Sequence, residues 1–265
     1  MTNGMTVGLP MYYPREGALQ AFWDALRTEL PGHSLPATLE WPDDYMAHWR
    51  APTLLLSQTC GYPLVRGLRG SVQLLGSFVY DVPGAQGMDS RSQLICRRGD
   101  ARSTLAAFRS STVAFNAPDS QSGYNALRAR IAPLAQEGRF FGRAIETGAH
   151  LQSIAAVLDG RADLAAIDAV TWALALEARP ALAQALTVLD QTAPYPGLPL
   201  ITALQTPAET VAQLQAALHT VATAARHAAV RAPLRITGFV RSTLEDYAVC
   251  ETMEAQAWAL GVYRL

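Results

Sequence analysis

The apolar positions along the chain switch repeatedly between two periods. Met5–Leu9 is a short apolar run, as expected of a strand, and Leu19, Phe22, Trp23, Leu26 and Leu30 then recur at helical spacing. Ala37–Trp41, Thr53–Leu56 and Val72–Tyr80 read as further strands. A turn-rich stretch from Pro83 to Ser92 interrupts the pattern, which resumes with strands at Gln93–Arg97 and Thr112–Asn116. A helix follows with Leu127, Ile131 and Leu134 on one face. Leu151, Ile154, Ala155 and Leu158 mark another, Asp163–Ile167 is a buried strand, and Val170 and Leu174 begin the next helix. A second break, Thr192–Pro199, leads to a strand over Leu200–Leu204 and an alanine-rich helix from about Pro207 to Ala228. Phe239, Leu244, Tyr247 and Trp258 predict a helical tail that returns to the first part of the chain.

Strands alternating with helices predict an α/β fold with mostly parallel sheets flanked by helices. Two breaks around one inserted α/β unit predict two lobes, residues 1–88 with 192–265 and residues 89–191, joined by two hinge crossings. A cleft between such lobes is a favoured small-molecule site.

Composition narrows the function. The chain has 265 residues, 50% hydrophobic and 16% charged, enough for a sizeable core. A net charge of -1 provides no basic surplus to neutralise a phosphate backbone, so nucleic acid is not an expected partner. No run of about 20 apolar residues predicts a membrane span. The first ten residues lack the features of an export signal, which places the protein in the periplasm if a signal has been removed and in the cytoplasm otherwise. Cys60, Cys96 and Cys250 lack metal-ligand spacing and read as buried thiols. No nucleophile elbow, zinc motif, phosphate loop or cofactor fingerprint is present, so neither catalysis nor a cofactor is expected. A monomer is the default expectation.

Four segments carry candidate chemistry. Asn116-Ala-Pro-Asp-Ser-Gln-Ser-Gly-Tyr124 follows a strand and opens a helix, where unpaired amides and the helix dipole favour an anion. Ser120 and Ser122 add hydroxyl donors there, and Gly123 permits close approach of the backbone; an ordinary helix cap by Asp119 or Ser120 fits the same residues. Glu146-Thr-Gly-Ala-His150 also leads from a strand into a helix, with Thr147 as a cap and His150 as a donor. Ser57, Gln58 and Thr59 follow another strand, and Tyr12 and Tyr13 follow the first; these residues can line a cleft or simply pack. Asp168 ends the buried strand, either to accept a proton or pair with an ammonium group on a ligand, or to cap the next helix.

These segments resemble the phosphate/phosphonate-type substrate-binding proteins of ABC transporters. The best matches are Ser57–Tyr62, Asn116–Tyr124 and Thr147–Ile154, the last continuing through Val157-Leu-Asp-Gly-Arg-Ala-Asp163 to Asp168. The resemblance implies the type 2 periplasmic-binding-protein fold, with two α/β lobes, two hinge crossings and a ligand cleft. It implies that Ser120, Gln121 and Ser122 grip phosphonate oxygens, that His150 assists, that Asp168 meets a ligand amine and that Tyr12 or Tyr13 walls the cleft. The expected partners are a small oxyanion and an ABC permease. A cofactor-free cytosolic enzyme or a ligand sensor on the same fold is the alternative.

Overall fold

The computed structural model describes residues 4–12, 17–30 and 35–265. In chain order the strands are β1 (Thr6–Gly8), β2 (Leu54–Gln58), β3 (Val72–Tyr80), β4 (Asp89–Ser90), β5 (Ser92–Arg97), β6 (Thr112–Phe115), β7 (Arg143–Glu146), β8 (Leu164–Asp168), β9 (Leu186–Gln191), β10 (Tyr195–Pro196), β11 (Pro199–Ala203) and β12 (Ile236–Val240). The chain forms two compact units. The first comprises residues up to Asp81, 86–88 and Pro196–Asp246; the second comprises 82–85, Asp89–Tyr195 and Tyr247–Leu265.

Each unit holds a five-stranded sheet, ordered β1-β2-β11-β3-β12 in the first and β7-β6-β8-β5-β9 in the second. The sheets are mixed rather than mostly parallel. β1 and β2 are parallel, but β11 runs antiparallel between β2 and β3, and β12 is antiparallel to β3. β6 is parallel to β7 and β8, whereas β5 runs antiparallel between β8 and β9. β5 and β11 are the strands that follow the two breaks. Each starts beside the carboxyl end of its neighbours, Ser92 opposite Asp168 and Leu200 opposite Gln58, so each must run against them.

The strand period places the core of the second unit on both sheet faces. Leu94, Cys96, Val113, Leu164 and Ala166 face one cluster, and Ile95, Ala114, Ala165 and Ile167 face the other. In the first unit the helix Ala18–Thr28 buries Ala18, Phe22, Trp23 and Leu26, the spacing read from sequence. The helix His150–Leu158 follows sequence expectation in extent but not in face. It buries Ser153, Ile154, Ala156 and Val157, while Leu151 and Leu158 are exposed. It stops at Gly160, whose φ of 77° suits glycine. Asp163, next along, accepts the Thr112 amide and two arginines, Arg97 and Arg102, so this acid of the Gly-x-x-Asp signature is a structural staple at the start of β8.

Two further sequence expectations fail. Ala37–Trp41 is not a strand. Pro36 and Pro42 flank it, the Gln20 side chain takes the Leu39 amide and the Ala37 carbonyl, and Glu40 N–H reaches Val7 O at 2.7 Å. The tail also departs. Phe239 lies on the edge strand β12, and the helix begins only at Ala248 and runs to Ala259. That helix belongs to the second unit, not the first. Ala257 and Val262 complete the cluster around Leu94, Val113 and Leu127, and Met253 packs on Ala126 and Tyr195. Burying these apolar groups fixes where the tail goes, and it adds a passage at Asp246–Tyr247 to the two crossings expected.

Candidate functional site

β7, β6 and β8 lie side by side and parallel, so their carboxyl ends, Glu146, Phe115 and Asp168, line one edge of the second sheet. Open α/β sheets bind ligands at such edges. The segment after Phe115 turns through Asn116–Asp119 and opens its helix as a single wide turn, Gln121–Asn125, in which Asn125 N–H reaches Ser120 O at 2.9 Å. Wide turns of this kind are frequent at functional sites.

Ser120 caps the turn, its Oγ accepting the Gly123 amide at 3.0 Å. Its hydroxyl lies 3.4 Å from that of Ser122, and Ser122 Oγ lies 2.8 Å from His150 Nε2. The backbone of Ser122 is held from behind. The Ser92 hydroxyl donates to Ser122 O at 2.8 Å, so Tyr195 must donate its own proton to Ser92 Oγ, 2.7 Å away. Gly123 is there for lack of room, since a Cβ would sit 2.0 Å from Asn116 Oδ1. Ser92, Tyr195 and Asn116 were not singled out from sequence. Only Asn116, directly after a strand within the motif, carried a local signal.

Gln121 does not join this group. Its amide accepts from Asn125 Nδ2 at 2.9 Å and donates to Met253 Sδ at 3.2 Å, so its side chain faces the C-terminal helix rather than Ser122 and His150. Thr147 does not cap its helix either. Ala149 occupies the cap position with no side-chain bond, and Thr147 Oγ1 pairs instead with Ser153 Oγ at 2.7 Å.

His150 opens that helix. Its Nδ1 is buried and without a partner among the described residues. Burial pushes the imidazole down from 6.5 to about 4, with no charged neighbour contributing, so the ring is neutral near pH 7. A group whose folded pKa is depressed favours the folded state above its unfolded pKa. The contribution is complete above about pH 6.5 and is lost as pH falls towards 4. Denaturant titrations at pH 7 and pH 4.5 are expected to show a larger loss for the wild type than for His150→Phe.

Asp168 serves as a helix cap, with Oδ1 accepting the amides of Val170 and Thr171 at 2.8 and 3.1 Å. It stands at the same sheet edge as Ser122 and His150 through the Ser92–Asp168 pairing.

In the first unit, the ends of β1 and β2 place the remaining candidates. Ser57 is fully buried and its proton goes to Gly8 O at 2.7 Å, a tie between the two strands rather than an open donor. Gln58 donates to the Tyr80 hydroxyl at 3.2 Å, and the Tyr12 ring stands edge-on to Tyr80 at 5.6 Å. Thr59 N–H reaches Pro199 O, while its Oγ1 is buried and without a partner among the described residues. Tyr13 lies outside the described residues. Among the described residues no group of three His, Cys, Asp or Glu is arranged to hold a metal, and no helix is long and apolar enough to cross a membrane.

The chain shares its fold with solved structures. A binding protein component of an ABC phosphonate transporter, PA3383 from Pseudomonas aeruginosa, superposes with a TM-score of 0.78 at 17% identity, over 98% of this chain and 88% of that one. PhnD1 from Prochlorococcus marinus, in complex with methylphosphonate, gives 0.76 at 14% identity over 95% and 97%. XAC2383 from Xanthomonas citri, bound to ATP, gives 0.69 at 16% identity over 99% of both chains. These likenesses establish the α/β periplasmic-binding-protein type of fold. No curated protein sequence matches the chain. A family model described as the ABC transporter, phosphonate, periplasmic substrate-binding protein matches residues 10–247, and with nearly the whole chain inside that match the protein belongs to this family of transport binding proteins.

Proposed function

We propose that the protein binds a small phosphonate or phosphate-like oxyanion, closes its two lobes around it and presents the closed form to an ABC permease. The observation that carries this reading is the Ser120–Ser122–His150 group at the carboxyl edge of the second sheet. Hydroxyl donors at a helix start suit an oxyanion, whose desolvation must be offset by directed hydrogen bonds. Methylphosphonate in PhnD1 and ATP in XAC2383 both offer such oxygens, which is consistent with this class. In the first unit, Tyr12, Gln58 and Thr59 are the proposed contributors; in the second, Ser120, Ser122, Gly123 and His150, with Asp168 as the proposed neighbour of a ligand amine. An enzymatic reading has less support, because the family is one of binding proteins.

A thermal-shift screen across phosphate, phosphite, sulfate, methylphosphonate, 2-aminoethylphosphonate, ATP and malate tests the reading. A ligand at a hundredfold excess over its Kd stabilises the fold by about 2.7 kcal/mol. Methylphosphonate or phosphate is expected to raise Tm clearly, and Ser122→Ala with His150→Ala is expected to cut the shift to about half while the protein stays folded. A response to malate alone would overturn the oxyanion assignment. Lobe closure is expected to shrink the radius of gyration in solution scattering at saturating ligand, and unchanged profiles would remove it.

A further inference from the structure

A neutral imidazole beside a serine can act on an anion directly or at second hand, and the hydrogen-bond inventory of this loop separates the two. The Ser120 oxygen already accepts the Gly123 amide, and at 3.4 Å it bonds only weakly to Ser122. Its proton is therefore available to a ligand. Ser122 has one proton and a 2.8 Å partner in His150 Nε2. If Nε2 is bare, Ser122 must spend its proton on the ring. If Nε2 carries the hydrogen, Ser122 accepts it and keeps its own proton. The other ring nitrogen decides between them. Among the described residues Nδ1 is buried without a partner, and so is Asn116 Oδ1 in the same loop, so the two do not satisfy each other. An Nδ1–H tautomer would bury a donor with no acceptor, a rarer and costlier fault than an idle lone pair. The Ser92–Tyr195 anchor on its carbonyl holds the Ser122 backbone in place beside the ring.

We infer that His150 is a positioning residue held as its Nε2–H tautomer, which donates to Ser122 Oγ and thereby commits the Ser122 hydroxyl proton to the bound ligand. The inference rests on the oxyanion reading for the identity of the ligand, but not for the tautomer. Burial of the ring, which keeps it neutral, supports it.

Two measurements test it. Nitrogen and proton NMR of the His150 ring in the wild-type protein near pH 7 is expected to show Nε2–H; an Nδ1–H tautomer or an imidazolium overturns the inference with or without ligand. Calorimetric titration with methylphosphonate, and with inorganic phosphate in parallel, then tests the route. Ser122→Ala and His150→Phe are each expected to weaken binding about tenfold. The double variant is expected to bind no worse than Ser122→Ala alone, because the histidine has no independent contact with the ligand. His150→Gln, whose amide can donate to Ser122, is expected to stay within a few-fold of wild type. Losses that multiply in the double variant, or a His150→Gln as weak as His150→Phe, overturn the inference. If the wild type binds neither probe, the oxyanion reading fails on its own, and the NMR result still decides the tautomer.

Discussion

Gly123→Ala is expected to abolish the proposed oxyanion binding and to destabilise the fold by about 1–3 kcal/mol, the usual cost of overpacking. A Cβ at this position would lie 2.0 Å from Asn116 Oδ1, 3.0 Å from Asn116 Cγ and 3.1 Å from His150 Cε1. Backbone strain is not the cause, since Gly123 is not among the residues with positive φ. The cost falls on its neighbours: Asn116 must turn its amide and the His150 ring must retreat, which lengthens the 2.8 Å bond to Ser122. Removing the obstructing amide, as in Gly123→Ala with Asn116→Ala, is expected to recover most of the lost stability in a denaturant titration. Full binding by Gly123→Ala alone would show that the loop yields more easily than its contacts indicate.

The largest effect on stability is expected from Glu254→Ala. Glu254 and Arg128 form an ion pair at 3.7 Å with side chains only 7% and 3% exposed. Arg128 also donates to Asn125 Oδ1 at 3.0 Å and to Tyr263 O at 2.9 Å, but neither acceptor carries a full charge. Taking away the carboxylate leaves a buried guanidinium without a counter-ion, a change that costs about 3–5 kcal/mol. Replacing both partners, as in Arg128→Met with Glu254→Leu, is expected to cost far less, because no charge is then buried alone. Urea midpoints for the two variants check this. A Glu254→Ala protein as stable as wild type would mean that water or another group reaches Arg128. The same network includes Asn125, which donates to Gln121 and to Cys250 O, so looser packing at Glu254 is expected to reach the Ser120–Ser122 turn.

How much of this was legible in the sequence depended on how local each determinant is. β2, β5 and β8 are buried along almost their whole length and read plainly as apolar runs. β7 is almost wholly exposed, and β12, at a sheet edge, buries only Ile236 and Phe239, so their patterns are weak. Strand direction was not legible, because β5 and β11 take theirs from where the chain enters each sheet. Ser120, Ser122 and Gly123 could be singled out as candidates because a helix start after a strand is a local feature. Gln121 was misjudged because the wide turn and a helix 132 residues away decide where its side chain goes. Ser57 was misjudged for a smaller reason. Successive strand side chains point to opposite faces, and nothing local shows that Ser57 lies on the side of Gly8. The tail was assigned to the wrong unit because apolar spacing marks what will be buried but not against which partner.

That tail has a consequence for the order of folding. The turn that presents Ser120 and Ser122 is tied to residues 125 to 135 positions further along the chain, through Asn125–Cys250, Gln121–Met253 and Arg128–Tyr263. Contacts over such separations form late, and chains emerge from synthesis amino end first. The sheet of the second unit can therefore assemble while Gln121, Asn125 and Arg128 are still solvated, and the turn above it sets only when the helix from Ala248 docks. Ordering of the Ser120–Ser122 turn is thereby expected to come late in folding, after the sheet beneath it.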